Sequence, residues 1–207
     1  IIKTLKGNGQ FTLTSGRRDK FLHDTAEHMA TELRRLRLIP DIIVYPHSTS
    51  PLLKDFSDLL SSKLGVKSVI SDAFDKDHEI HLPENRAEAL QYIKDNFIDH
   101  AWFEKKMSAA ADKEHSLDDI AENIYYNIKK HGQIDAKSMF KQYGKFVKGF
   151  MKPTLSDEYA LMDKRVMVID DVLSSGSTMS ELFRLVKDEL LAQEVFGVVL
   201  FNRGLTV

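Results

Sequence analysis

The chain has 207 residues, with 29 Lys plus Arg against 31 Asp plus Glu and a formal net charge of -2. At 43% hydrophobic and 29% charged it is too apolar and too balanced to be disordered, and long enough to bury a sizeable core. Cysteine is absent, which excludes disulfides, zinc–thiolate sites and thiol nucleophiles and fits a reducing, cytoplasmic compartment.

The chain starts at Ile1 with neither Met nor a signal-peptide pattern and stops at Val207 just after an apolar run, which leaves open whether it is a piece of a longer protein. Phe11 and Leu13 alternate with Thr12 and Thr14, which predicts a short strand ended by Gly16. From about Asp19 to Leu38, Phe21, Leu22, Ala26, Met29, Ala30, Leu33 and Leu36 form one helical face. Asp41–Tyr45 reads as a buried parallel strand, Pro46–Pro51 as a loop, and Leu52–Leu64 as a helix capped by Gly65. Val66–Ser71 is a second strand. A helix then starts at Pro83 and reaches at least Ile98, another follows Ser116 as N-cap, and a third runs from about Ala136 to Met151. Arg165–Ile169 is a strand, Asp170–Ser177 a polar turn, Thr178–Leu191 a helix and Val195–Phe201 a last strand. This order predicts an α/β fold, a Rossmann-like parallel sheet, with residues 1–82 and 153–207 as its core and 83–152 as a helical insertion. No apolar run approaches the roughly 20 residues of a bilayer span, so no membrane partner is expected.

The most informative stretch is Val166-Met-Val-Ile-Asp-Asp-Val-Leu-Ser-Ser-Gly-Ser-Thr178. In an open parallel sheet, ligands bind beyond the carboxyl ends of the strands. Asp170 and Asp171 stand there, and Ser174, Ser175, Gly176, Ser177 and Thr178 lead into a helix N-terminus with unpaired N–H groups. The turn suits a phosphate. The acidic pair suits ribose hydroxyls and can help hold Mg²⁺. The plain structural reading is an N-cap cluster opening a buried helix. Two adjacent carboxylates, which repel one another, weigh against it.

Val166–Thr178 resembles the phosphoribosyl-pyrophosphate (PRPP) signature of type I phosphoribosyltransferases. That resemblance implies that Asp170 and Asp171 hold the ribose hydroxyls and that Ser174–Thr178 cradle the 5′-phosphate. Phe11-Thr-Leu-Thr-Ser-Gly-Arg17 is similar to the N-terminal hood of orotate phosphoribosyltransferases, and Val198-Val-Leu-Phe-Asn-Arg-Gly204 to the strand that closes their core. Thr14 and Arg203 are then the nucleobase contacts, with an orotate-like pyrimidine as the base. His47, Ser48, Thr49 and Ser50 fall at the pyrophosphate loop. Lys76-Asp-His78 is similar to the mobile lid, with Lys76 as its catalytic cation. The implied activity is transfer of 5-phosphoribose from PRPP to a nucleobase, with Mg²⁺ as cofactor, pyrophosphate released and a homodimer as the assembly.

Thr14 and Thr49 stand where orotate enzymes carry lysines, which leaves a second reading open: a regulatory or interaction module that binds PRPP or a nucleotide without transferring it. Lys54 is a further candidate for the pyrophosphate, and Arg17 and Arg18 for the pyrophosphate or a dimer partner. Lys137, Lys141, Lys145, Lys148 and Lys152 recur at helical spacing, which fits an acidic partner or nucleic acid less well than the solvated face of an amphipathic helix. His78 and His81 read as a polar loop rather than metal ligands, and Trp102 and Phe103 as core of the insertion.

Overall fold

The structure is a computed structural model that describes residues 15–48, 50–75, 79–109, 116–134, 143, 146–155, 157, 159–173 and 176–202. The chain divides into two compact units: residues 1–74, 153–174 and 182–207 in one, 75–152 and 175–181 in the other.

The first unit is the α/β unit. Helix α1 spans Ser15–Arg35 and buries Leu22, Ala26, Ala30 and Leu33, the three- and four-residue spacing of one face. It starts at Ser15, so Ser15 and Gly16 are helical and do not end a strand. The predicted strand residues Phe11–Thr14 lie outside the described residues. Strand β1 (Ile42–Val44) is wholly buried, and α2 (Leu52–Leu64) buries Leu52, Leu53, Phe56 and Leu60 before Gly65 ends it at φ 74°. Strands β2 (Ser68–Ile70), β5 (Arg165–Leu173) and β6 (Glu194–Asn202) join β1 in an all-parallel sheet of order β2-β1-β5-β6.

Strand period sends neighbouring residues to opposite faces. On one face Ile43, Tyr45, Met167, Ile169 and Val198 form the core with α1 and α2. Ile42, Val44, Val166 and Val168 alternate with them and are buried as well. A sheet covered on both faces explains why these strands read as continuous apolar runs rather than alternating ones. Phe21 of α1 stacks on Phe201 of β6 with ring centroids 5.9 Å apart.

Two short strands, β3 (Phe74–Asp75) and β4 (Lys152–Pro153), pair as a separate sheet. Helix α6 (Ser177–Arg184) continues into a π-helical turn at Leu185–Glu189 rather than as one helix to Leu191. There Leu190 N–H donates to Leu185 C=O, and Lys187 Nζ satisfies the carbonyls of Ala192 and Gln193 beyond it.

The second unit is mostly helical. Helix α3 spans Arg86–Phe97 and does not begin at Pro83, because Asn85 caps it: its side chain accepts from the N–H groups of Ala87 and Glu88. The helix stops at Ile98, which bridges Val147 in antiparallel fashion, and α4 (His100–Ala109) starts anew. Phe103 of α4 meets Phe146 edge-on at 5.4 Å. Helix α5 (Leu117–His131) opens with the expected Ser116 cap, completed by Asp119 as a capping box. Arg86 pairs with Glu122 and Lys94 with Asp118, so α3 and α5 lie antiparallel over Ala89, Ile93, Ile120 and Ile124.

The predicted third helix does not extend to Met151. Tyr143 is helical, but residues 146–151 form a turn, a bridge and a bend, with Gly149 at φ 69°. Lys148 and Lys152 therefore do not continue a lysine-lined helix face; Lys152 lies in β4. Lys137, Lys141 and Lys145 lie outside the described residues.

Candidate functional site

Parallel strands end at one edge of a sheet, and three adjacent ones present polar groups there. Val44 of β1 is level with Ile70 of β2 and with Val168 of β5. Two residues beyond Val168 stands Asp170. It is not in a turn: β5 continues to Leu173, because the nine-residue β6 offers ladder partners as far as Asn202. Asp170 pairs with Val199 and Val172 with Phe201. The pleat therefore directs Asp170 and Asp171 to opposite faces, which relieves the repulsion that two adjacent carboxylates would otherwise feel. Asp170 is buried, and its Oδ1 accepts the Asp171 N–H at 2.9 Å; Asp171 is half-buried. A buried carboxylate is retained only where donors replace its water, and this backbone donor is one of them.

Beside it, the segment after β1 is fixed by main-chain bonds. His47 N–H donates to Phe74 C=O at 3.0 Å. Tyr45 N–H donates to Ile70 C=O, while Tyr45 C=O accepts from Ala73 N–H. Tyr45, the residue just after β1, is thus matched against Ser71 and Asp72 together, a bulge of the kind that re-aims side chains at sheet rims. Asp72 takes the left-handed backbone at φ 53°, and the Thr154 hydroxyl donates to its carbonyl. The bulge turns the Asp72 carboxylate to His47: Oδ1 lies 2.9 Å from Nδ1. Burial pushes the Tyr45 phenol above its ordinary value, while a hydrogen bond with Ser71 opposes the shift.

Farther along the same loop, the hydroxyls are used locally. Ser48 Oγ accepts from Ser50 N–H, and the buried Ser50 accepts from Leu52 N–H, both at 3.3 Å. The second bond satisfies an early donor of α2, whose N-cap, Pro51, supplies no side-chain cap. Lys54 is held by Asp58 at 2.6 Å and Arg18 by Asp55 at 2.6 Å, so both candidate cations sit in local ion pairs.

In the α/β unit, Asp170 and Asp171 lie in β5 beyond the level of the last residue of β1, and His47, Ser48 and Ser50 lie in the loop that follows the adjacent β1. Gly176 (φ 82°), the buried Ser177 and the half-buried Thr178 group with the helical unit. Thr14, Thr49, Lys76, Ser174, Ser175 and Arg203 lie outside the described residues. Asp72 is the residue that sequence reasoning missed. It follows a short strand just as Asp170 follows the apolar run of β5, but only the bulge turns it toward His47. Among the described residues no group of three or more His, Asp or Glu side chains converges as metal ligands, so Asp170 and Asp171 do not form a metal cage with other described side chains. No described helix is long and apolar enough to cross a membrane.

No protein-family model matches the chain. Over 55 residues it is 40% identical to the transcriptional regulator GfcR of Methanocella arvoryzae, a match covering 26% of this chain and 27% of that protein. The chain thus matches little more than a quarter of the relative's length. These findings correct the family assignment drawn from Val166–Thr178: the aligned relative is named a regulator, and nothing in the matches indicates a phosphoribosyltransferase. A thirteen-residue strand–turn–helix is a local arrangement that proteins of different function can share.

Proposed function

We propose that this chain is a ligand-sensing regulatory module that binds a phosphorylated sugar or nucleotide, PRPP among the candidates, without transferring it. The observation that carries the reading is the register of β2, β1 and β5, which aligns an acidic residue and a polar loop at one carboxyl edge. Asp170 and Asp171 are the acceptors for sugar hydroxyls. The ligand is taken to be phosphorylated because the Val166–Thr178 sequence carries the hydroxyl-rich, glycine-containing pattern of phosphate turns. The match to a named transcriptional regulator supports the regulatory part, and the absence of cysteine fits a cytoplasmic site of action.

Titration calorimetry with PRPP, ribose 5-phosphate and nucleoside monophosphates, run beside a pyrophosphate-release assay with a nucleobase panel, tests this. The expected result is saturable binding, weakened about tenfold or more in Asp170→Asn, and no pyrophosphate. Absence of binding across the ligands overturns the reading. Pyrophosphate release replaces it with a transferase.

A further inference from the structure

We propose that His47 and Asp72 form a paired hydrogen-bond acceptor for a hydroxyl of the bound ligand. His47 Nε2 is the contact atom and Asp72 the residue that positions it. This rests on the ligand-binding reading above and deepens it.

Two independent bonds place His47: its main-chain N–H donates to Phe74 C=O, and its imidazole Nδ1 meets the Asp72 carboxylate. Asp72 is itself held at a left-handed φ of 53°, a conformation that L-residues rarely adopt, with the Thr154 hydroxyl on its carbonyl. Such an arrangement gains little for stability. The His47 and Asp72 side chains are 55% and 56% exposed, and exposed pairs contribute little. It does fix chemistry. A carboxylate beside Nδ1 selects the tautomer with the proton on Nδ1, leaving the Nε2 lone pair as acceptor. An acceptor at that point matches a ligand hydroxyl, not a phosphate oxygen. The other charged groups near the cluster, Asp58 and Lys54 of α2, are paired with each other, and the Tyr45 phenol faces Ser71. None of these pairings involves His47.

The test has two arms. Imidazole ¹⁵N NMR of the free protein reads the tautomer. A proton on Nδ1 is expected in the wild type, with that preference lost in Asp72→Ala; a proton on Nε2 overturns the proposal. Calorimetry with ribose 5-phosphate then compares wild type, His47→Ala and Asp72→Ala, each checked for folding by circular dichroism. Affinity is expected to fall about three- to tenfold in His47→Ala and to fall in Asp72→Ala. Unchanged affinity in His47→Ala sinks the proposal while the ligand-binding reading stands. If the wild type binds none of the ligands, both readings fall.

Discussion

Replacing Gly149 with Ala imposes two separate costs that the structure allows to be told apart. Gly149 has φ 69°, and an L-residue held in the left-handed region costs about 1–2 kcal/mol. A Cβ added there would also meet the Asn96 carbonyl oxygen and Phe97 Cδ1, each at 3.2 Å. The oxygen belongs to the backbone of α3 and cannot swing away, so relief requires a shift of the helix or of the 146–151 segment. Overpacking of this kind adds about 1–3 kcal/mol, for a total of roughly 2–5 kcal/mol. Gly149 N–H also donates to the buried Glu181 carboxylate at 2.7 Å, a bond that any such shift would stretch. Gly132 is the reference: it has φ 74°, lies in the same unit and has nothing within 4 Å of an added Cβ, so its alanine variant suffers the conformational cost alone. Urea unfolding followed by fluorescence of Trp102, the single tryptophan and a residue of that unit, measures both. With a slope of about 2 kcal/mol per molar, Gly149→Ala should lower the midpoint by roughly 1–2.5 M, and Gly132→Ala by under about 1 M. Equal shifts in the two variants would refute the steric half of the reasoning.

Three further outcomes are expected. Ser116→Ala removes the capping box of α5 and should cost about 1 kcal/mol, read as a lower urea midpoint and faster amide exchange at Asp119. Phe56→Ala empties a fully buried site beneath the parallel sheet and should cost about 3–5 kcal/mol; a loss below about 1 kcal/mol would contradict the described core. The Lys63 ammonium hydrogen-bonds the Glu27 carboxylate and lowers its pKa from the ordinary 4.5. That contribution is present above the unfolded value and lost as pH falls through the folded one, so Glu27→Gln should flatten the acid limb of stability against pH. An acid limb identical to wild type would discount the pair.

Much of the α/β architecture was legible because its residues answer to local rules. The apolar runs at Ile42–Val44 and Val166–Ile169 are what strands buried on both faces require, and Ser116 and Gly65 mark helix ends through their own backbone chemistry. Boundaries failed where a neighbour decided them. Pro83 had the residue type of a first helical position, but Asn85 had the side chain that reaches two free amides. The pattern around Lys148 fitted a helix, but Val147 found Ile98 as a bridge partner. The motif at Val166–Thr178 was conspicuous and its family reading was not supported, because a short motif specifies local geometry rather than chemistry.

Sequence by itself determined that this chain builds a parallel sheet and that the apolar run ending at Ile169 is one of its strands. Periodicity and residue type act over a few positions, and they suffice for that. Only the tertiary structure decided that β5 runs past the acidic pair, that the two carboxylates take opposite faces, and that Asp72 meets His47 across 25 residues of chain. Those outcomes depend on the length of β6 and on a bulge beside β1. Both are properties of strand pairing between distant segments, which no local pattern encodes.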